Sequence, residues 1–280
     1  MLSLRVRAVE PDSPRSLALT DFRKPSPHRF ERVANFRDLA GHTTRDGRRV
    51  APGRLLRSGH LGRATDADLV ILSGFGLRRV YDFRTQSDIT SDGADRLPEG
   101  TESMCLPMPD PASGRGIREL IDESGPDELE IHFGDGKAEA MMMESAAGLV
   151  RERREPYGVF LRALAEESGV PALFHCSAGK DRAGWAASVV LLTLGVPEDQ
   201  VIEQYLLSNR AAAEIVDGQR THGREIWADV LRPLLEVREE YIQSSFDTVR
   251  REWGDFDGYL ERGLGITETE RDAIRRNLLD

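Results

Sequence analysis

The sequence has few cysteines, no excess of positive charge and no long apolar run near its start. Cys105 and Cys176 are the two cysteines among 280 residues, which is too few for a disulfide framework and typical of a reducing compartment. Basic residues number 38 against 48 acidic ones, so the net charge is −10; this excludes the broad basic surface that binds nucleic acid or anionic membranes. Residues 1–27 lack an apolar stretch long enough for a signal peptide or a membrane span. We therefore expect a cytoplasmic protein without an integral membrane segment, although export without a signal peptide is also compatible with the sequence.

The stretch from Gly169 to Trp185 combines a strand, a tight loop and the start of a helix. Residues 170–174 form a short apolar run bounded by glycine and proline, which predicts a strand in a covered parallel sheet. Residues 185–194 are apolar nearly all round, which predicts a buried helix. The loop between them contains a cysteine, two glycines and an arginine.

This loop has the composition of an oxyanion site with a nucleophile. A loop that leaves a strand and enters a helix can point several backbone N–H groups into one concavity, where the helix dipole adds partial positive charge. Such surroundings favour the thiolate form of Cys176, which is a nucleophile. Arg182, at the first helical turn, can donate two parallel N–H groups to a bound phosphate, and Gly179 permits a positive φ. The alternative interpretation is a strand-to-helix turn with a buried structural cysteine.

The segment His175–Arg182 resembles the signature loop of the cysteine-dependent phosphatases, and its Gly-Lys-Asp-Arg sequence resembles a bacterial tyrosine-phosphatase family. Similar blocks at 35–41, 56–59 and 81–85 occur in that family's order. The resemblance covers about residues 30–280, with weak matching at 110–155. It implies an α/β fold with a central, mainly parallel twisted sheet of four to five strands flanked by helices.

The resemblance also implies a domain organisation. We expect an N-terminal accessory segment over residues 1–27 and a tyrosine-phosphatase-like domain over 28–280. Within that domain, residues 110–168 are the candidate helical lid insertion over the site. The alternative for that region is an ordinary packing helix, because methionines such as Met141–Met143 are in most cases adaptable core residues.

The activity implied is hydrolysis of phosphoric monoesters through a cysteinyl phosphate on Cys176. The first substrate class is phosphotyrosine proteins, with phosphoserine, phosphothreonine and phosphoinositides as further ones. Neither a cofactor nor a metal ion is needed, because the protein itself supplies the positive field. The residues implied in phosphate binding are Ser177, Ala178, Gly179, Lys180, Asp181 and Arg182, and those implied in support of the loop are His175, Asn35, Arg37, Asp38 and Arg57.

Two aspartates are candidates for the general acid. Residues 77–83 read as a strand, so Asp82 lies at a carboxyl end, where ligands of open α/β sheets bind. Asp181 lies within the loop itself. The family pattern does not choose between them, and either carboxylate could instead be a simple ion-pair partner.

Three positions depart from the family pattern. Ala183 stands where the family has a threonine or serine, whose hydroxyl would help the thiolate leave the phosphoenzyme, so we expect slow turnover. Ala40 replaces a glycine, and Asp88 stands where glutamate is common; both are mild changes.

Other functions remain open at this stage. Lys180 adds a cation to the loop, in a spacing that resembles phosphoinositide phosphatases, although a lysine readily stays in solvent. A sulfurtransferase and a non-catalytic phosphate-binding module are the alternatives from other classes. The sequence does not indicate an oligomeric state.

Several structural expectations complete the sequence analysis. We expect Cys105 to be a buried filler in an edge strand near 104–106, or the partner of Cys176 in a protective disulfide. Helices are expected over 234–253 and 267–279, the second opened by the capping box Thr267-x-x-Glu270.

Overall fold

The computed structural model describes residues 21–24, 26–109, 124–213 and 225–280. Most of the expected accessory segment and residues 110–123 of the expected lid region lie outside the described residues. No helix in the described part of the chain is both long and apolar enough to cross a membrane.

Five strands form one sheet in the order β1-β2-β5-β3-β4. β1 is antiparallel to β2, and the other neighbours are parallel. The predicted mainly parallel sheet is confirmed, and β5 is buried along its whole length because it lies in the middle. The strands are β1 (Arg37–Asp38), β2 (Leu55–Ser58), β3 (Arg79–Asp82), β4 (Glu102–Cys105) and β5 (Ala172–His175).

Helices cover both faces of the sheet. Side chains alternate along the strands, so Leu56 and Leu173 pack with Leu72 of α1 on one face, while Leu55 and Phe174 join the larger core on the other. The helices are α1 (Asp66–Ser73), α2 (Gln86–Asp92), α3 (Pro126–Phe133), α4 (Lys137–Glu152), α5 (Arg154–Ala165), α6 (Asp181–Leu194), α7 (Glu198–Leu206), α8 (Glu225–Leu235), α9 (Glu239–Trp253) and α10 (Glu268–Leu278), with a turn of helix at Phe256–Gly258 and a π-helical turn at Tyr259–Gly263.

Capping boxes define the starts of α1, α2 and α10. In each box a threonine side chain accepts the N3 amide, and the N3 carboxylate accepts the threonine amide: Thr65 with Asp68, Thr85 with Asp88, and the predicted pair at 267 and 270. The predicted end of the buried helix is also observed, since Gly195 follows α6 with a φ of +88°.

The prediction of one helix over 234–253 is wrong. α8 ends at Leu235 and α9 begins at Glu239. Between them the side chain of Asn209 donates to the carbonyl of Val237 (2.8 Å) and accepts from its amide (2.7 Å). These two bonds satisfy the Val237 backbone outside a helix, so the chain turns there.

The expected burial of Cys105 is also wrong, because this thiol is exposed. The edge position of β4 was predicted and is observed. Few other residues cover this edge strand, which leaves the thiol in contact with solvent. Cys105 and Cys176 are both free thiols, so the suggested disulfide is not formed.

The described part of the candidate lid region contains α3, α4 and α5. Leu129, Phe133 and Met142 pack with Leu231 and Tyr241 in a small cluster separate from the main core. α4 also packs against α9 and α6. A helical layer with its own cluster therefore lies beside the start of α6, and its role as a lid stays a prediction.

Candidate active site

The predicted signature loop connects β5 to α6. Cys176 follows β5 directly and is 2 % exposed. Lys180 precedes the first residue of α6. The loop therefore lies at the carboxyl end of the central strand, where a parallel sheet presents its ligand sites.

The carbonyl groups of the loop face outward and are held by side chains from two other segments. Asn35 donates its Nδ2 group to the carbonyls of Ala178 (3.2 Å) and Gly179 (2.9 Å). Arg57 donates Nη2 to the carbonyls of Gly179 (2.7 Å) and Lys180 (3.3 Å). These contacts give both residues a structural place beside the loop, which the sequence analysis could only assign by resemblance.

The amide groups of the loop are left for a ligand. The carbonyl of Ser177 accepts the His60 amide (2.9 Å), so four consecutive carbonyls at 177–180 are bound from outside. Among the described residues, no group accepts a hydrogen bond from the amides at 177–180. Backbone N–H groups turned away from their carbonyls at a helix start make an anion-binding concavity.

Gly179 is the position where only glycine fits. Its φ is +67°, and a Cβ atom there would lie 2.3 Å from the carbonyl oxygen of Ser58. The backbone of the loop therefore packs directly against the end of β2, which holds the concavity in shape.

Arg57 brings a buried positive charge close to the nucleophile. Burial lowers the pKa of its guanidinium to about 10, while negative charge on Cys176, Tyr205 and Asp181 acts in the opposite direction. The side chain is fully buried and also donates Nη1 to Gln204 Oε1 (3.0 Å). Arg57 therefore holds a fixed positive charge against the loop that follows Cys176.

Arg182 is oriented by an acidic partner that the sequence analysis missed. Its Nη1 atom donates to Asp88 Oδ2 (2.7 Å) and to the carbonyls of Phe83 (3.3 Å) and Met108 (3.2 Å). Burial alone would raise the pKa of Asp88, but the charge and hydrogen bond of Arg182 and the bonds from Thr85 hold it below its ordinary value. The capping box of α2 was the available signal, because it predicts a fixed carboxylate at this position.

A second buried network joins His175 to Asp82. The His175 ring contacts Asp95 Oδ2 through Nε2 (2.9 Å) and the Cys176 carbonyl through Nδ1 (3.3 Å). Arg84 donates Nη2 to Asp95 Oδ1 (2.7 Å) and binds both oxygens of Asp82 (2.9 to 3.1 Å). Asp95, which no sequence signal indicated, therefore links the residue before the nucleophile to the end of β3.

The same network contains a possible metal-ligand set. Ligand atoms of Asp82, Asp95 and His175 lie within 4.8 Å of one another. Arg84 already supplies a positive charge to both carboxylates. The planar guanidinium of Arg84 donates to the carboxylate oxygens whose lone pairs a metal ion would need. We therefore assign this cluster to a fixed ion-pair network.

Asp181 lies in different surroundings from Asp82. It is the first residue of α6, its side chain is 14 % exposed, and it accepts a hydrogen bond from Lys180 Nζ (2.9 Å). It also lines a narrow cavity with Trp185 and Tyr205. Asp82 is only 2 % exposed. The predicted cation of Lys180 points to Asp181 and to the Glu236 carbonyl (3.3 Å).

The remaining predicted residues form the turn behind the loop. Arg37 donates to Asn35 Oδ1 (2.6 Å) and so reaches the loop through Asn35. Asp38 accepts the amides of Ala40 (3.0 Å) and Gly53 (2.7 Å), and burial raises its pKa to about 6. Asp38 thus stabilises the turn and makes no hydrogen bond to the described loop. Ala183 is fully buried in the first turn of α6.

Comparison with known proteins agrees with this geometry. The model of a family described as the tyrosine phosphatase family matches residues 28–280. A protein of Cupriavidus necator named as a tyrosine-protein phosphatase is 33% identical over 249 residues, which cover 85% of this chain and 84% of that protein. The triple specificity protein phosphatase PtpB of Mycobacterium tuberculosis is 29% identical over 277 residues, which cover 88% of this chain and 96% of that protein.

The family predicted from the loop and its upstream blocks is thereby confirmed. The matched region includes every predicted site residue, from Asn35 to Arg182. The chain belongs to the tyrosine phosphatase family.

Proposed function

We propose that this chain hydrolyses phosphoric monoesters through a cysteinyl phosphate on Cys176, with phosphotyrosine proteins as its first substrates. The observation that supports this most is the loop at 176–180, whose carbonyls are bound from outside while its amides have no described acceptor. That arrangement suits the three equatorial oxygens of a phosphoryl group in transfer.

In the first step the sulfur of Cys176 attacks the phosphorus, so an S–P bond forms as the ester O–P bond breaks. Arg182 and the loop amides bind the equatorial oxygens, where negative charge develops. The departing oxygen takes a proton from a carboxylic acid. Water then attacks the phosphorus and gives a proton to the same carboxylate, the S–P bond breaks, inorganic phosphate is released and the thiolate is regenerated.

We assign the general acid role to Asp181. Its side chain is part-exposed, and it directly follows the loop that begins at Cys176. Both oxygens of Asp82 instead accept hydrogen bonds from Arg84 inside the protein, where a proton donor could not reach a leaving group. Asp181→Asn should lower kcat/KM, which reports the step that expels the leaving group, most for substrates with poor leaving groups such as phenyl phosphate, and little for para-nitrophenyl phosphate. Equal losses for both substrates would contradict this role.

Ala183 places no hydroxyl beside the sulfur, so we propose that hydrolysis of the cysteinyl phosphate limits turnover. Ala183→Thr should raise steady-state kcat and leave the amplitude-corrected burst rate unchanged. The side chain is fully buried, so thermal unfolding must be measured beside it, with Ala183→Val as the size-matched control without a hydroxyl. If threonine and valine act alike, the hydroxyl argument is wrong.

A broader substrate range is supported by the printed name of the Mycobacterium tuberculosis relative, which is called a triple specificity phosphatase. We extend the proposal to phosphoserine, phosphothreonine and phosphoinositide substrates for that reason. A panel of matched phosphopeptides and a soluble phosphoinositide, with phosphate release as the readout, measures the order of preference.

One assay tests the central proposal against the alternatives. The wild-type chain should release para-nitrophenol from para-nitrophenyl phosphate, Cys176→Ser should abolish this, and Cys105→Ser should not. Consumption of thiosulfate without release of para-nitrophenol would instead identify a sulfurtransferase. Binding of the ester without turnover would identify a phosphate-binding module.

A further inference from the structure

The charged residues that line a groove beside the signature loop are all basic in the described structure. It lies between residues 22–37 and residues 207–211, which follow α7. Its charged and polar lining includes Lys24, His28, Arg29, Asn35, Arg37 and Arg210, and we call it the basic groove. None of its described lining residues is an aspartate or a glutamate, although the chain carries 48 acidic residues and a net charge of −10.

The cations of the basic groove have no acidic partner among the residues that the structure describes. In the described structure, Lys24, Arg29, Arg37 and Arg210 form no salt bridge. Neighbouring Arg23, in contrast, pairs with Glu203 (2.6 Å). Lone surface cations are common because water solvates them, but several that share one concavity repel one another.

Arg37 shows that repulsion most directly. Its Nη groups donate only to neutral acceptors: Asn35 Oδ1 (2.6 Å), Ser208 Oγ (2.9 Å) and the Gln204 carbonyl (3.3 Å). Its Nε atom is buried without an acceptor in the described structure. Burial, and then the charges of Arg57 and Arg210, lower the pKa of Arg37 well below its ordinary value. A buried guanidinium without a counter-charge is costly, and an anion in the groove would supply that counter-charge.

The basic groove and the signature loop share one residue but are separate sites. Asn35 lines the groove and binds the carbonyls of Ala178 and Gly179 on the outside of the loop. The amides of the loop face its concavity, on the opposite side of the peptide groups. A ligand in the groove therefore does not use the donors that the catalytic loop offers.

We propose that the basic groove is a second anion-binding site, which takes a phosphate monoester group carried by a ligand separate from the one in the signature loop. Three arginines and a lysine in one concavity supply the paired and single donors that a phosphate dianion accepts. The proposal does not depend on catalysis by Cys176. The phosphate could belong to a soluble metabolite or to a lipid headgroup, since both present the same dianion.

The test uses the full chain with Cys176 carboxymethylated by iodoacetate, which fills the signature loop with a bulky anion. The soluble probe is inositol 1,4,5-trisphosphate, titrated calorimetrically at low salt. The vesicle probe is phosphatidylcholine with phosphatidylinositol 4-phosphate, compared with phosphatidylcholine alone by co-sedimentation. The expected result is saturable binding of one of the two probes, with one site per chain. The probe that binds shows whether the phosphate belongs to a soluble metabolite or to a lipid headgroup. Binding to neither overturns the proposal.

A matched pair of double variants separates this site from general charge. Arg29→Gln with Arg210→Gln removes two exposed cations of the groove, while Arg251→Gln with Arg276→Gln removes two exposed cations elsewhere. The first should weaken binding at least tenfold and the second less than twofold. Equal losses in the two would refute the groove. Lys24→Gln alone, also exposed, should weaken binding about two- to threefold and serves if the double variant does not fold.

Discussion

Replacement of Asp88 by asparagine tests how Arg182, the proposed phosphate-binding arginine, is held. Asp88→Asn keeps the shape of the side chain but removes the charge that faces Arg182 at 2.7 Å. The side chains are 7% and 2% exposed, so the pair is screened little by solvent. Removal of one partner from a buried pair costs about 3–5 kcal/mol. Because asparagine retains an oxygen that can accept from Arg182, we expect a loss near the lower end, about 3 kcal/mol.

Asp68→Asn is the matched control. Asp68 is the N3 residue of the capping box of α1, as Asp88 is in α2, and it is also buried. It accepts backbone amides, including those of Glu31 (2.7 Å) and Arg32 (3.1 Å), but no arginine side chain among the described residues. Loss of a capping interaction costs about 1 kcal/mol. The difference between the two variants, about 2 kcal/mol, therefore measures the pairing with Arg182.

Urea unfolding and steady-state kinetics with para-nitrophenyl phosphate measure the two effects. If Arg182 binds the phosphoryl oxygens, its misplacement in Asp88→Asn should lower kcat/KM about 10- to 100-fold, which corresponds to about 1.4–2.7 kcal/mol. Asp68→Asn should leave kcat/KM unchanged within a factor of two. Equal effects of the two substitutions on stability and activity would refute the reasoning.

The pH dependence of this pair has a definite sign. Arg182 and Thr85 hold the pKa of Asp88 below its ordinary value despite burial. A depressed carboxyl pKa contributes stability above the unfolded value of about 3.9, and the contribution is lost as the pH falls through the folded value. The difference in unfolding free energy between wild type and Asp88→Asn should therefore be constant at neutral pH and shrink below about pH 4.

Three further predictions follow from single positions. Gly179→Ala should abolish phosphatase activity, because its Cβ would lie 2.3 Å from the Ser58 carbonyl oxygen. Gly47 also has a positive φ but has open space around it, so Gly47→Ala tests backbone strain alone and should leave activity intact. Burial lowers the pKa of His42 to about 3, so its ring should stay neutral in an NMR titration down to about pH 3. Below about pH 6.5 only the unfolded chain takes up this proton, so the fold should become less stable as the pH falls from that value. A titration midpoint near 6.5 would contradict this prediction. Cys105, as an exposed free thiol, should react with a maleimide without loss of activity, and inactivation by that modification alone would place it closer to the site than the structure does.

Local patterns predicted the parts of the fold that local physics determines. A short apolar run between proline and a cysteine predicted β5, and an apolar segment that ends at Gly195 predicted α6. Thr267 predicted a helix start because a capping box is complete within four residues. The order of strand, loop and helix around Cys176 was therefore predicted from these local patterns alone.

The parts that failed depend on partners far along the chain. The separation of α8 from α9 rests on Asn209 and Val237, which are 28 residues apart. Asp95 meets His175 across 80 residues, and Asp88 meets Arg182 across 94. A helical or strand period reports only which side of an element is apolar, so it carries no information on which distant charges will meet. The exposure of Cys105 was missed for a related reason, since the cover over a strand depends on the complete sheet.

The two candidate acids show the same limit within the active site. Asp82 and Asp181 are chemically identical, and each lies where a parallel sheet presents ligands. Arg84 follows Asp82 by two residues, so this local pair is visible in the sequence. The sequence does not show that the pair is buried, because an arginine beside a carboxylate is also common on a solvated surface. Burial turns that pair into a closed bidentate contact at 1% and 3% side-chain exposure, while the side chain of Asp181 is 14% exposed. Proton transfer to a leaving group requires access to it, so the assignment of the acid rests on burial, a property of the packed chain rather than of either residue.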